Sequence, residues 1–177
     1  MRREFGEEEG LTASLAHRQR LVEGFRKLRA EIEAFEPDFL LIWGDDQYEN
    51  FKEDIIPPFC VLAWDEVACQ PLKRRPSNAW GEAPETVFHY TGCPQQGRYL
   101  ASRLLEEGID MAYAYKPLHQ EDGLGHAFVN TLLFLDYDRT GLPYPVLPFQ
   151  VNCYGSRVIR NRGGSEEFAS EPDPPGP

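Results

Sequence analysis

Apolar positions fall into two periodicities along this chain. Between residues 12 and 35, Leu21, Phe25, Leu28, Ile32 and Phe35 recur at spacings of four, three, four and three, which aligns them on one helical stripe. Arg26, Lys27, Arg29, Glu31 and Glu33 lie between them as the solvated face. Thr12 or Ser14 is placed to cap the start, and Glu36-Pro37 stops the helix. Phe39-Leu-Leu-Ile-Trp43 follows at once, an apolar run with no polar interruption, which predicts a fully buried strand.

The pattern then alternates between strand and helix. Phe59-Cys-Val-Leu-Ala-Trp64 predicts a second buried strand. Residues 65 to 92, with Pro71, Pro76, Gly81, Pro84 and Gly92, predict a long loop or short hairpin of the kind that forms lids or subunit contacts. Pro94 to Glu107 predicts a helix with Leu100, Leu104 and Leu105 inward and Gly108 closing it. Ile109, Met111, Tyr113 and Tyr115 alternate as a third strand, and Ala127 to Leu135 is a short apolar helix. Pro145 to Tyr154 is a fourth extended segment, whose prolines suggest an edge strand or one that begins late. This order predicts an α/β fold, a mixed or largely parallel sheet flanked by helices in a single domain. Residues 1–11 form an acidic N-terminal segment, and residues 161–177 a Gly/Pro-rich acidic tail.

Composition narrows the function. The 177 residues carry a net charge of −11, which argues against nucleic acid, because a phosphate backbone requires a basic face. No apolar run reaches the length of a membrane span, and the N-terminus lacks a signal-peptide core, so a cytoplasmic protein is expected. Cys60, Cys69, Cys93 and Cys153 show no metal-ligand spacing and are expected to be reduced and buried or inert.

Two stretches carry candidate chemistry. Gly44 ends the first strand, and Asp45, Asp46, Gln47, Glu49 and Asn50 crowd the turn after it. Carboxyl ends of strands are where open α/β sheets bind ligands. Equally, Asp46 and Asn50 could simply cap the next turn. The second stretch is Glu121-Asp-Gly-Leu-Gly-His-Ala-Phe128, in which His126 opens the apolar helix. The positive end of that helix favours a neutral imidazole, which suits a general base. Following the strand at 109–115, His126 is expected at the same strand-end edge as the acidic turn. A plain capping or packing histidine is the alternative. His119 could support the site, while His17 reads as a surface residue and His89 as a loop packing residue.

Gly44-Asp-Asp-Gln-Tyr-Glu-Asn-Phe51, followed by Ile55-Ile-Pro-Pro-Phe59, resembles a segment of the catalytic chain of class III extradiol ring-cleavage dioxygenases. Leu124-Gly-His-Ala-Phe128 resembles that family's second histidine motif, and Pro145 to Asn152 the strand after it. The resemblance spans roughly residues 20 to 160 and implies a partial extradiol dioxygenase catalytic domain over 12–160, incomplete at both ends. It implies a non-haem Fe(II) held by two histidines and a glutamate, opening a catecholic ring with dioxygen. One iron-ligating histidine of the family falls on Gln47. The other belongs upstream of the long helix, and the glutamate belongs beyond residue 177. The resemblance therefore implies His126 as the acid–base residue, Gln47 and Asp46 as metal-side residues, and Asp45, Tyr48 and His119 as substrate-side residues. The partners implied are a small aromatic substrate and dioxygen, with a homo-oligomer or a second type of chain compatible. A metal-free binding or scaffold protein of the same fold is the alternative that Gln47 motivates.

Overall fold

A computed structural model of the chain describes residues 10–47, 49–51, 55–73, 77–116 and 123–153. The chain divides into two compact units, one formed by residues up to Asp38 with Asn130–Tyr144, the other by Phe39–Val129 with the chain from Pro145.

In the first unit, helix α1 spans Leu11–Phe35. Its packed face is rotated from the expected stripe. Val22 is buried and Phe25 stacks on Phe134 at 4.6 Å, whereas Leu21 and Leu28 are exposed and Phe35 is 81% exposed. Arg29 explains the rotation. Its guanidinium donates to the carbonyls of Leu135 and Gly141 and pairs with Glu33, so a cation occupies a place in the packed face. The N-terminus also differs. Gly10, at φ 83°, precedes the helix and its carbonyl accepts from the Ser14 N–H, with no side-chain cap. Glu36 at φ 51° ends the helix before Pro37, as expected.

The second unit is built on strands β1 (Leu40–Asp46), β2 (Phe59–Leu62), β5 (Ala112–Ala114) and β6 (Val146–Asn152), ordered β1-β6-β2-β5. β1 runs parallel to β6, β6 antiparallel to β2, and β2 parallel to β5, which makes a mixed sheet. Helix α2 (Pro94–Glu106) packs on it, and the first turn of helix α3 (His126–Leu135) meets β1, so the expected α/β class holds. Strands β3 (Glu66–Cys69) and β4 (Phe88–Thr91) form a separate antiparallel hairpin in the predicted loop. His89 stands on β4, mostly exposed and 3.0 Å from Glu66, rather than packed in a loop.

Three strand expectations change. β1 continues through Gly44 to Asp46, and its burial alternates between the two faces instead of being complete, with Trp43 62% exposed. β6 lies inside the sheet despite its prolines. Pro148 falls one residue beyond the last β2–β6 pair, so its missing N–H lies past the end of that ladder. β5 is only three residues long, with Tyr113 and Tyr115 exposed against one another at 5.6 Å.

The core of this unit joins Val61, Leu147 and Phe149 of the sheet to Ala101 of α2, Cys93 and Met111. Gly97 lets α2 approach closely, since a Cβ there would stand 2.7 Å from that of Ala63. Leu105 faces solvent, and Gly108 at φ 80° closes the helix as expected.

Candidate functional site

β1 ends in two carboxylates that strand alternation sends to opposite faces. Asp46 is 1% exposed. Its Oδ1 accepts the Glu49 N–H at 2.9 Å, and its Oδ2 accepts the N–H groups of Asn50 and Phe51 at 2.9 and 3.1 Å. The Gln150 amide, from the neighbouring β6, also donates to Oδ2. The backbone donors of residues 49–51 and the Gln150 amide surround one buried carboxylate, because N–H groups buried without acceptors are costly. This matches the capping role that the sequence left open for Asp46. Asn50 is buried beside it, and its side-chain amide has no hydrogen-bond partner among the described residues.

Asp45 remains at the rim. Its Oδ2 accepts from the Gln47 amide at 2.7 Å, and its Oδ1 lies 3.9 Å from His126 Nε2. His126, the first residue of α3, has a side chain 40% exposed. Glu49 holds it twice: Oε1 accepts the backbone N–H at 2.8 Å, and Oε2 sits 2.8 Å from Nδ1. A carboxylate at the positive end of α3 is favourably placed. The structure thus brings together Asp45, Gln47, Glu49 and His126 at the carboxyl ends of β1 and β6.

The route differs from the one expected. β5 runs opposite to β1, so its carboxyl end points to the other end of the sheet. His126 nevertheless returns to the β1 end. Tyr48 and His119 lie outside the described residues. No local pattern marks Gln150, and Glu49 stands in the sequence as one of a crowd of polar residues. Nothing in spacing signals either role, since Gln150 lies 104 positions from Asp46 and Glu49 lies 77 from His126.

The cysteines are expected to be reduced and buried or inert, and burial holds for three of them. All four are free, with Cys60, Cys69 and Cys93 buried and Cys153 exposed. Burial, with the charge of Asp46 adding to it, pushes the Cys60 thiol up to about 12. Burial likewise raises Cys69 to about 11, against a smaller opposing contribution from a Leu124 backbone hydrogen bond.

The Fe(II) that the resemblance implies finds few free donors here. Both Asp46 oxygens are engaged by N–H groups, Gln47 turns its amide towards Asp45, and Glu49 is bound to His126. Among the described residues no three His, Cys, Asp or Glu side chains are placed to hold a metal ion. This donor set does not fit the two-histidine, one-carboxylate triad. Among the described residues no helix is long and apolar enough to cross a membrane.

The site is the place where similarity to known proteins becomes informative. No protein-family model matches the chain. Curated proteins similar to it are dioxygenases named for dihydroxylated aromatic acids. One is 2,3-dihydroxyphenylpropionate/2,3-dihydroxicinnamic acid 1,2-dioxygenase 2 of Pseudomonas putida, 33% identical over 135 residues, which cover 75% of this chain and 36% of that protein. The corresponding dioxygenase of Photorhabdus laumondii is 27% identical over 131 residues, 73% of this chain and 35% of that protein. That of Klebsiella pneumoniae is 32% identical over 126 residues, 70% and 33% respectively. The aligned part of the chain spans about a third of the length of these relatives.

Proposed function

We propose that this chain is a dioxygenase-like protein that binds a dihydroxylated aromatic acid and carries the proton-transfer side of extradiol ring opening. The observation that carries this reading is the half-exposed His126 imidazole beside Asp45 at a strand-end rim. Vicinal ring hydroxyls are hydrogen-bond donors, and the Asp45 carboxylate is an acceptor suited to hold one of them. The other hydroxyl gives its proton to His126, and Glu49 stabilises the imidazolium that forms. The names of the relatives supply the substrate class. Tyr48 and His119 are assigned to the substrate side by the family resemblance alone.

The test has two stages. Anaerobic calorimetry measures binding of 2,3-dihydroxyphenylpropionate, and the titration is then repeated in buffers of different ionisation enthalpy to read proton uptake. Binding that weakens in Asp45→Ala, with a proton uptake that disappears in His126→Ala, is the expected result, while oxygen uptake would require iron donors beyond those described. A protein that binds no dihydroxylated ring sinks the reading.

A second reading is favoured by the engaged donors around Asp46, Gln47 and Glu49. In it the chain is a metal-free binding protein of the same fold. It predicts ring binding with no proton uptake that depends on His126.

A further inference from the structure

Resting on the reading of His126 as the proton-transfer group, we propose that Glu49 is its positioning residue. Glu49 fixes the neutral imidazole as the Nδ1–H tautomer, so that Nε2, on the Asp45 side, is the basic atom.

A backbone N–H can only donate, so the His126 N–H fixes Oε1 of Glu49 as its acceptor at 2.8 Å. The same carboxylate then presents Oε2 to Nδ1 at 2.8 Å. An ionised carboxylate has only acceptor capacity, so a hydrogen bond there requires the proton on Nδ1. A neutral imidazole carries one N–H, and its lone pair is then on Nε2, 3.9 Å from Asp45 Oδ1.

Two features hold Glu49 in place. Its own backbone N–H donates to the buried Asp46 carboxylate at 2.9 Å, which ties the turn to β1. Gly125 provides the space, because a Cβ at that position would stand 2.8 Å from Glu49 Oε2. A side chain at the position before His126 would therefore displace the end of a glutamate 76 positions earlier in the sequence.

Long-range proton–nitrogen spectra of the full chain, labelled at histidine nitrogen, read the tautomer directly. They are recorded at a pH where the imidazole is neutral, and the His126→Gln spectrum assigns the signals among His17, His89, His119 and His126. His126 is expected to show the Nδ1–H pattern. In Glu49→Gln the amide can accept at only one of the two positions, so the ratio of Nδ1–H to Nε2–H should fall on the order of tenfold, the worth of a hydrogen bond to a charged group. Gly125→Ala keeps the carboxylate but displaces it, and should move the ratio the same way. An Nε2–H His126 in the unsubstituted protein, or an unchanged ratio in both variants, overturns the proposal. The readout needs no turnover. A protein that binds no aromatic ring would sink the proposed function and leave the tautomer result standing.

Discussion

Asp45 and Asp46 are consecutive residues of one strand, yet they belong to different parts of the molecule. On the inner side, Asp46 is sealed among three backbone N–H groups and Gln150, and its chemistry is used up in holding a turn. On the rim, Asp45 touches one amide and faces a half-exposed histidine. The difference teaches that a carboxylate's role is set by which face of the strand it occupies, not by its residue type. Alternation along β1 makes that assignment, since one position of shift exchanges the two faces.

Breaking the inner side should have the largest effect. Asp46→Ala leaves three backbone donors and the Gln150 amide without their acceptor, and should cost about 3–5 kcal/mol in chemical denaturation. A loss below about 1 kcal/mol would show that the turn does not depend on this carboxylate. On the rim, His126→Ala should abolish the proton uptake that accompanies binding of a dihydroxylated ring and weaken that binding on the order of tenfold, the worth of a hydrogen bond to a charged group, with a smaller stability change than Asp46→Ala. A large stability loss instead would place His126 on the structural side.

Smaller changes sharpen the boundary between the two sides. Gly44→Ala points a methyl group at the Phe128 ring, 2.7 Å away, and should cost about 1–3 kcal/mol through overpacking beneath the site. The inner side should also show in alkali. The Cys60 thiol is raised from the ordinary 9.0 to about 12, so above pH 9 the unfolded chain loses this proton while the folded chain keeps it. Its contribution to stability is intact below pH 9 and declines as pH rises towards 12, at up to about 1.4 kcal/mol per pH unit. Cys60→Ala should flatten that decline, with the Cys69 contribution remaining. Denaturation curves measured across this range would show it. The smallest effect is expected from Asp45→Ala, within about 0.5 kcal/mol in denaturation while ring binding weakens, since surface substitutions seldom cost more.

Much of the fold was legible in sequence because local patterns encode it. The apolar runs at 59–64 and 145–154, the proline-led helix closed by Gly108, and the helix opened by His126 all became elements near their predicted bounds. The errors arose where burial depends on neighbours. The 3.6-residue stripe on α1 included Leu21, Leu28 and Phe35, but the packed face centres on Val22 and Phe25, beside an Arg29 whose guanidinium finds two carbonyls. An apolar run does not state whether both faces of its strand are covered, so the exposure of Trp43 was invisible. The prolines of β6 argued for an edge, while the position of Pro148 just past the β2 ladder allows an interior strand.

Sequence by itself determined that a strand leads into Asp45-Asp46-Gln47 and that His126 opens a helix, because caps, breakers and apolar periodicity act over a few residues. It stopped at Gly44 a strand that continues to Asp46. Tertiary structure alone decided the rest. It sent Asp46 inward to Gln150 and Asp45 outward to His126, ran β5 against β1, and joined Glu49 to His126 across 77 positions. These pairings depend on strand order and register, and no local pattern records them.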